Sequence, residues 1–138
     1  MKICIYGAGA IGGYIAVMLK QAGIDVSLIA RGAHLEAIKK DGLKLRIGGE
    51  EKSAKMPASS DPHDLGVQDY VIVALKAHQA WEVAEQMRPL FGPDTAVVTA
   101  QNGLPWWYFH GFEGQYANRR IEALIRAGGS GTPSARNA

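Results

Sequence analysis

The chain has 138 residues, is 47% hydrophobic and carries a formal net charge of +2. That length and composition fit one folded domain with a real core and exclude a disordered polymer. Its 15 Lys and Arg nearly balance 13 Asp and Glu, and no basic run or aromatic–basic interleaving points to a nucleic-acid partner.

Cys4 is the only cysteine, which excludes an intrachain disulfide, and its place in the first apolar run marks it as a small buried residue. The apolar start at Ile3 is too short for a signal peptide and is broken by Gly7 and Gly9. No run approaches the length of a membrane span, and a cytoplasmic protein is the expectation.

The opening stretch Lys2-Ile3-Cys4-Ile5-Tyr6 reads as a buried strand. Glycines follow at the spacing Gly7-x-Gly9-x-x-Gly12, and an apolar helical pattern begins there. A strand, a glycine turn and a helix N-terminus make a site for a dinucleotide pyrophosphate. Gly7 permits the tight turn, Gly9 lets the phosphates approach the backbone, and Gly12 lets helix and strand pack closely. Free N–H groups and the helix dipole then meet the negative charge. The competing explanation is a Gly-rich turn used only for packing.

The spacing of Ile11, Ile15, Met18, Leu19 and Ala22 predicts a first helix over about 11–22 with those residues buried, and Gly23 suits its end. Asp25 to Ala30 is the second strand, parallel to the first through a right-handed crossover. At its end, where NAD-binding folds commonly carry an acid for the ribose 2′-OH, stands Arg31. A guanidinium binds a 2′-phosphate through paired hydrogen bonds, so the residue predicts NADPH over NADH; the alternative is a solvated loop arginine.

A short helix follows over about 33–40, with Leu35 and Ile38 buried and Gly42 at its end. His34 is expected at the adenosine or phosphate edge, or simply exposed. Leu43 to Ile47 alternates apolar and charged residues, Gly48-Gly49 signals a hairpin, and Glu50 to Met56 returns. This excursion is expected at a sheet edge. Asp61-Pro62 suits one short helical turn with Asp61 as its cap. Asp69 to Leu75 reads as a further buried parallel strand ending at Lys76. A third helix is predicted over about 77–87, with Ala80, Ala84 and Met87 on its buried stripe and Pro89 beyond its end. Thr95 to Ala100 is the last strand, ending at Gln101-Asn102-Gly103. The alternation predicts an α/β fold with a Rossmann-type doubly wound parallel sheet.

In such a sheet ligands bind outside the carboxyl ends of the strands. Gly7-Ala8-Gly9, Arg31, Lys76 and Asn102 all fall at such ends and are expected to meet on one edge. Lys76 suits a carboxylate or hydroxyl, and Asn102 a carbonyl, hydroxyl or carboxamide. A strand-end charge and a simple Asn-Gly turn are the plain alternatives. The four histidines, His34, His63, His78 and His110, have no paired metal-ligand spacing, and no G-x-S-x-G elbow or P-loop is present.

Taken together, Gly7-Ala8-Gly9-Ala10-Ile11-Gly12 with Arg31-Gly32, Val73-Ala74-Leu75-Lys76-Ala77-His78-Gln79, and Gln101-Asn102-Gly103-Leu104-Pro105-Trp106-Trp107 resemble the amino-terminal domain of the ketopantoate (2-dehydropantoate 2-) reductases. The likeness covers about residues 1 to 122. It implies NADPH-dependent reduction of 2-dehydropantoate to (R)-pantoate in pantothenate biosynthesis, with a small 2-oxo acid as substrate. By the resemblance, residues 7–12 hold the pyrophosphate and Arg31 reads the 2′-phosphate. Lys76 and Asn102 lie where cofactor and substrate meet, and Gln79 lies near the nicotinamide.

The family also carries a helical second domain, which supplies its catalytic lysine. On this reading no residue here is catalytic, Lys76 is not that lysine, and the chain is the cofactor half of a truncated enzyme, inactive alone. Two alternatives stay open: a non-catalytic NADP-binding or interaction module, and a fragment of another β-hydroxyacid-type dehydrogenase. The domain is expected to span 1–122. Residues 126–138 lack bulky apolar side chains, and 123–138 is expected to be a disordered tail. Because family members continue past Asn118-Arg119-Arg120-Ile121-Glu122 with Asp-Pro-Gly-Gly, the tail reads as a frameshift product. The run Trp106-Trp107-Tyr108-Phe109 cannot all face one core, and an exposed part of it is expected to drive self-association.

Overall fold

The structure is a computed structural model that describes residues 1–105 and 107–121. The expected tail over 123–138, its frameshift origin, the domain boundary at 122 and Trp106 lie outside the described residues.

Five parallel strands form the main sheet: β1 (Lys2–Tyr6), β2 (Asp25–Ile29), β5 (Ala58–Ser59), β6 (Tyr70–Val73) and β7 (Ala96–Thr99). Their order is β5-β2-β1-β6-β7. The strand order reverses between β1 and β6, which opens a crevice above their carboxyl ends. Helix α1 (Ala10–Gln21) crosses from β1 to β2, and α2 (Gly32–Asp41) follows β2. Helix α3 (Ala77–Val83) follows β6. Among the described residues no helix is long and apolar enough to cross a membrane.

Strand alternation divides the core into two layers. Ile3, Ile5, Val26 and Leu28 face Ala16 and Val17 of α1 on one side. Cys4, Tyr6, Val71 and Val73 face Ala80, Val83 and Met87 on the other. Cys4 is fully buried, and burial pushes its thiol up to about 12.

The face of α1 differs from the expected one. Gly12, Gly13, Ala16 and Val17 are buried, while Ile11, Met18 and Ala22 are exposed; Ile15 and Leu19 are half-buried. The reason is proximity on two sides. A Cβ on Gly12 would lie 1.9 Å from the Gly7 carbonyl oxygen, and one on Gly13 would touch Leu43 at 3.8 Å. A helix held this close admits small side chains at its contacts and sends its large ones outward.

Leu43 belongs to β3 (Leu43–Ile47), which pairs antiparallel with β4 (Glu50–Ala54). The hairpin was expected at the edge of the main sheet. It is instead a separate two-stranded sheet laid over α1, and the edge position is taken by β5 alongside β2. The half-exposed pattern of β3 thus reflects contact with a helix on one face and solvent on the other.

Leu35 and Ile38 anchor α2 as expected, and Gly42 ends it at φ +81°. Asp61 caps a short 3-10 turn over Pro62–Asp64 by accepting from the His63 N–H at 2.9 Å. The third helix is shorter than expected. It stops at Val83, and a 3-10 segment over Glu85–Leu90 carries Pro89 inside it. Ala84 is exposed, whereas Val83, Met87 and Leu90 are buried. A three-residue turn stacks Met87 directly below Leu90, which an α-helix over the same residues would not do.

Candidate functional site

The crevice at the carboxyl edge of the sheet is built on the turn after β1. Gly7 sits at φ +111°, and its N–H donates to the Ile29 carbonyl at 3.1 Å, tying the turn to β2. That backbone conformation suits glycine, and a Cβ there would also lie 2.7 Å from Leu75 Cδ2. Gly12 is excluded from carrying a side chain by its approach to Gly7. Gly9 is different. Its φ of −69° is open to any residue, and no atom would lie within 4 Å of its Cβ. Neither backbone nor packing calls for glycine at position 9.

Gly9 is also the N-cap of α1. It offers no side-chain cap, and the first turn carries no acid. The N-terminal N–H groups of this twelve-residue helix therefore meet the crevice with their partial positive charge unopposed.

Two cavities share this turn. The larger, about 740 Å³, runs from Gly7, Ala8, Gly9, Ala10 and Ile11 across to Lys76, Gln79, Gln101 and Asn102. The smaller, about 270 Å³, lies on the β2 side between Arg31 and His34 on one wall and Leu75, Gln79 and Glu82 on the other. Gly7, Ala8, Leu75 and Gln79 line both, so the two form one groove along the sheet edge. Gly12 lies beneath the turn and lines neither.

Arg31 is the N-cap of α2 and is exposed; its carbonyl accepts from the Leu35 N–H at 3.4 Å, while its guanidinium makes no hydrogen bond or ion pair with any described residue. Its positive charge is felt by Tyr6, whose hydroxyl is pushed up by burial and pulled back in part by Arg31. Lys76 is the N-cap of α3 and exposed. Its backbone N–H donates to Gln79 Oε1 at 3.4 Å, which turns the Gln79 side chain back over the first turn. Gln79 thereby stands at the waist of the groove, where the two cavities join, rather than only at one end. Asn102 is exposed at the bend after β7, before Gly103 at φ +91°.

Gln101 and Glu82 also line the groove. Gln101 Nε2 is buried with no hydrogen-bond partner. A buried donor without an acceptor is costly, and one on the wall of a groove is a group kept for a polar ligand or water. Glu82 follows Gln79 by three residues, one helical turn on, which is the only sequence signal that both face the groove.

The match to known proteins now has a physical basis. The family described as Ketopantoate reductase PanE/ApbA matches residues 3–105. The chain belongs to the PanE/ApbA ketopantoate reductase family. It is 53% identical over 129 residues to a 2-dehydropantoate 2-reductase of Mesorhizobium japonicum, covering 93% of this chain and 40% of that protein. Among solved structures, one from Ralstonia solanacearum MolK2 assigned as a ketopantoate reductase superposes with a TM-score of 0.81 at 44% identity, over 88% of this chain and 38% of that one. The ternary structure of D-mandelate dehydrogenase with NADH and anilino(oxo)acetate superposes with a TM-score of 0.69 at 36% identity, over 75% of this chain and 34% of that one. The chain therefore spans about two fifths or less of the length of these relatives. The Rossmann-type parallel sheet expected from the sequence is the fold these structures share.

Proposed function

We propose that this chain is the NADPH-binding part of an enzyme that reduces 2-dehydropantoate to (R)-pantoate, and that residues 1–122 form that unit. The observation that carries this reading is the single groove in which the glycine turn, Arg31, Lys76, Gln79 and Asn102 meet, with Gly9 bare where the protein itself has no need of glycine. The residues fit the cofactor. Open space above Gly9 accepts phosphate oxygens against the backbone, and the N-terminus of α1 stabilises their charge. Arg31 lies where a 2′-phosphate on the β2 side would be paired by a free guanidinium.

When bound, NADPH supplies the hydride that reduces the keto carbon. At the other end of the groove, Lys76 binds the substrate's carboxylate or keto oxygen. Asn102 orients substrate and carboxamide through its amide. Gln79, its Oε1 held by the Lys76 N–H, has its NH2 group free for an acceptor in the groove. No residue of this chain is assigned the proton transfer to the developing alkoxide.

The test uses the purified 138-residue chain, with NADPH binding followed by fluorescence and NADPH oxidation followed with 2-dehydropantoate. Binding without turnover is expected. Turnover well above a no-protein control would mean that a proton donor lies within these residues, with Lys76 the first to replace. No binding would refute the assignment.

A further inference from the structure

The smaller cavity carries a polar group that phosphate binding does not explain. Glu82 lines it on the wall opposite Arg31 and His34. The side chain is exposed, and its carboxylate makes no hydrogen bond or ion pair with any described residue. An anion is out of place in a site meant for a 2′-phosphate unless it answers a donor on the same ligand. Arg31 and His34 at the N-terminus of α2 supply the positive charge, and both are planar groups able to stack on an aromatic ring. Leu75 on the opposite wall supplies an apolar surface. A slot with flat and apolar walls and one free carboxylate at its rim has the chemistry to hold a purine that presents an amine.

Resting on the dinucleotide reading above, we propose that Glu82 is the base-selecting residue of this site. Its carboxylate accepts from the exocyclic amine of adenine and disfavours a base with a carbonyl oxygen at that position. A carboxylate only accepts hydrogen bonds, so the 6-amino group of adenine matches it, whereas the 6-oxo group of hypoxanthine sets oxygen against oxygen. Arg31 and Glu82 then divide the adenosine end between them: the cation reads the phosphate on the ribose and the anion reads the base.

The test compares the affinity of the full chain for NADPH and for its reduced hypoxanthine analogue, in the original protein and in Glu82→Gln. The original protein is expected to prefer NADPH by about five- to tenfold, the size of one charge-assisted hydrogen bond at an exposed rim. Glu82→Gln, whose amide serves either base, is expected to bring the ratio to about one. Circular dichroism checks that this exposed substitution leaves the fold intact. Equal affinity of the original protein for both dinucleotides overturns the proposal, as does an unchanged preference in the variant. Tighter binding of both dinucleotides by Glu82→Gln at an unchanged ratio also overturns it, since Glu82 would then act on the phosphates alone. Binding of neither dinucleotide by the original protein overturns the underlying site assignment, which separates that failure from the others.

Discussion

Gly9→Ala and Gly12→Ala differ by a single methyl group each, yet they should fail in opposite ways. At Gly12 the new Cβ would start 1.9 Å from the Gly7 carbonyl oxygen and 3.0 Å from Ala74 Cβ. The helix has to retreat by more than an ångström, against a sheet on one side and Leu43 of the hairpin on the other. Overpacking of this kind costs about 1–3 kcal/mol or more, offset by the gain of about 1 kcal/mol in helix propensity over glycine. With an approach this close the upper end of the cost applies, so a net loss of roughly 2 kcal/mol or more is expected, which lowers Tm by about 6–10 °C in a domain of this size. At Gly9 the methyl meets nothing within 4 Å. Alanine is a poorer N-cap than glycine but lowers the entropy of the unfolded chain, and the two nearly cancel, to within about 0.5 kcal/mol. NADPH affinity should nevertheless fall by about tenfold or more, because the methyl occupies the approach of the phosphates to the backbone. Thermal unfolding and NADPH titration of both variants check the pair. Equal loss of stability in both, or an affinity within about twofold of the original in Gly9→Ala, would refute the reasoning.

Arg31→Asp should reverse the preference for NADPH over NADH, lowering NADPH affinity by about 10–100-fold while NADH binding is kept or improved; titration with both cofactors reads this directly. Cys4 should make the protein sensitive to alkali. Its thiol keeps its proton in the fold up to about 12, against 9.0 for an unperturbed thiol, so between those values the unfolded state sheds a proton that the folded state retains. The Cys4 contribution is therefore complete below pH 9 and is lost as pH rises, by up to about 1.4 kcal/mol per unit, so in denaturant titrations Cys4→Ala should remove the decline that begins near pH 9 and leave the part that Tyr6 adds at higher pH. The exposed rings of Tyr108, Phe112 and Tyr116 predict association of the chain with itself. Sedimentation should show mass rising with concentration, and Phe112→Ser with Tyr116→Ser should reduce it; a clean monomer at high concentration would refute this.

The parallel sheet was readable because its strands are apolar runs that stop at polar or glycine residues. Those stops are also why the groove was readable: a parallel sheet puts every carboxyl end on the same edge, so Gly7, Arg31, Lys76 and Asn102 come to line it without any knowledge of the helices between. Helix faces were less readable. Periodicity picks out the bulkiest residues, which placed Ile11 and Met18 inside, but α1 lies so close to the sheet and hairpin that its contact face is Gly12, Gly13, Ala16 and Val17. The hairpin's place over α1 was hidden for the same reason, since alternation says that one face is covered and not by what. Gln101 and Glu82 gave no signal of their own. An isolated glutamate on a helix reads as surface, and an amide at a strand end reads as part of a turn. Both gain meaning only when the fold sets α3 across from α2 and leaves Gln101 Nε2 buried without an acceptor.

The same contrast bears on how one fold serves two cofactors. D-mandelate dehydrogenase, 36% identical over the shared part, was solved with NADH and superposes at a TM-score of 0.69. On the proposed reading, strand order and the glycine turn belong to the common framework, and the turn would hold the pyrophosphate that both cofactors possess. Selectivity must then reside in the few side chains around the smaller cavity, where NADPH differs from NADH by a phosphate. In this chain those are Arg31 and His34 against Glu82. On the proposed reading their opposite charges would face different parts of one adenosine, so changing either should alter one preference and leave the other in place. Arg31→Asp should move the choice of phosphate without the choice of base, and Glu82→Gln the reverse. Additive effects in the double variant would assign the two preferences to separate residues. A strong coupling would mean that the two side chains act on the same group, and the division of labour would be wrong.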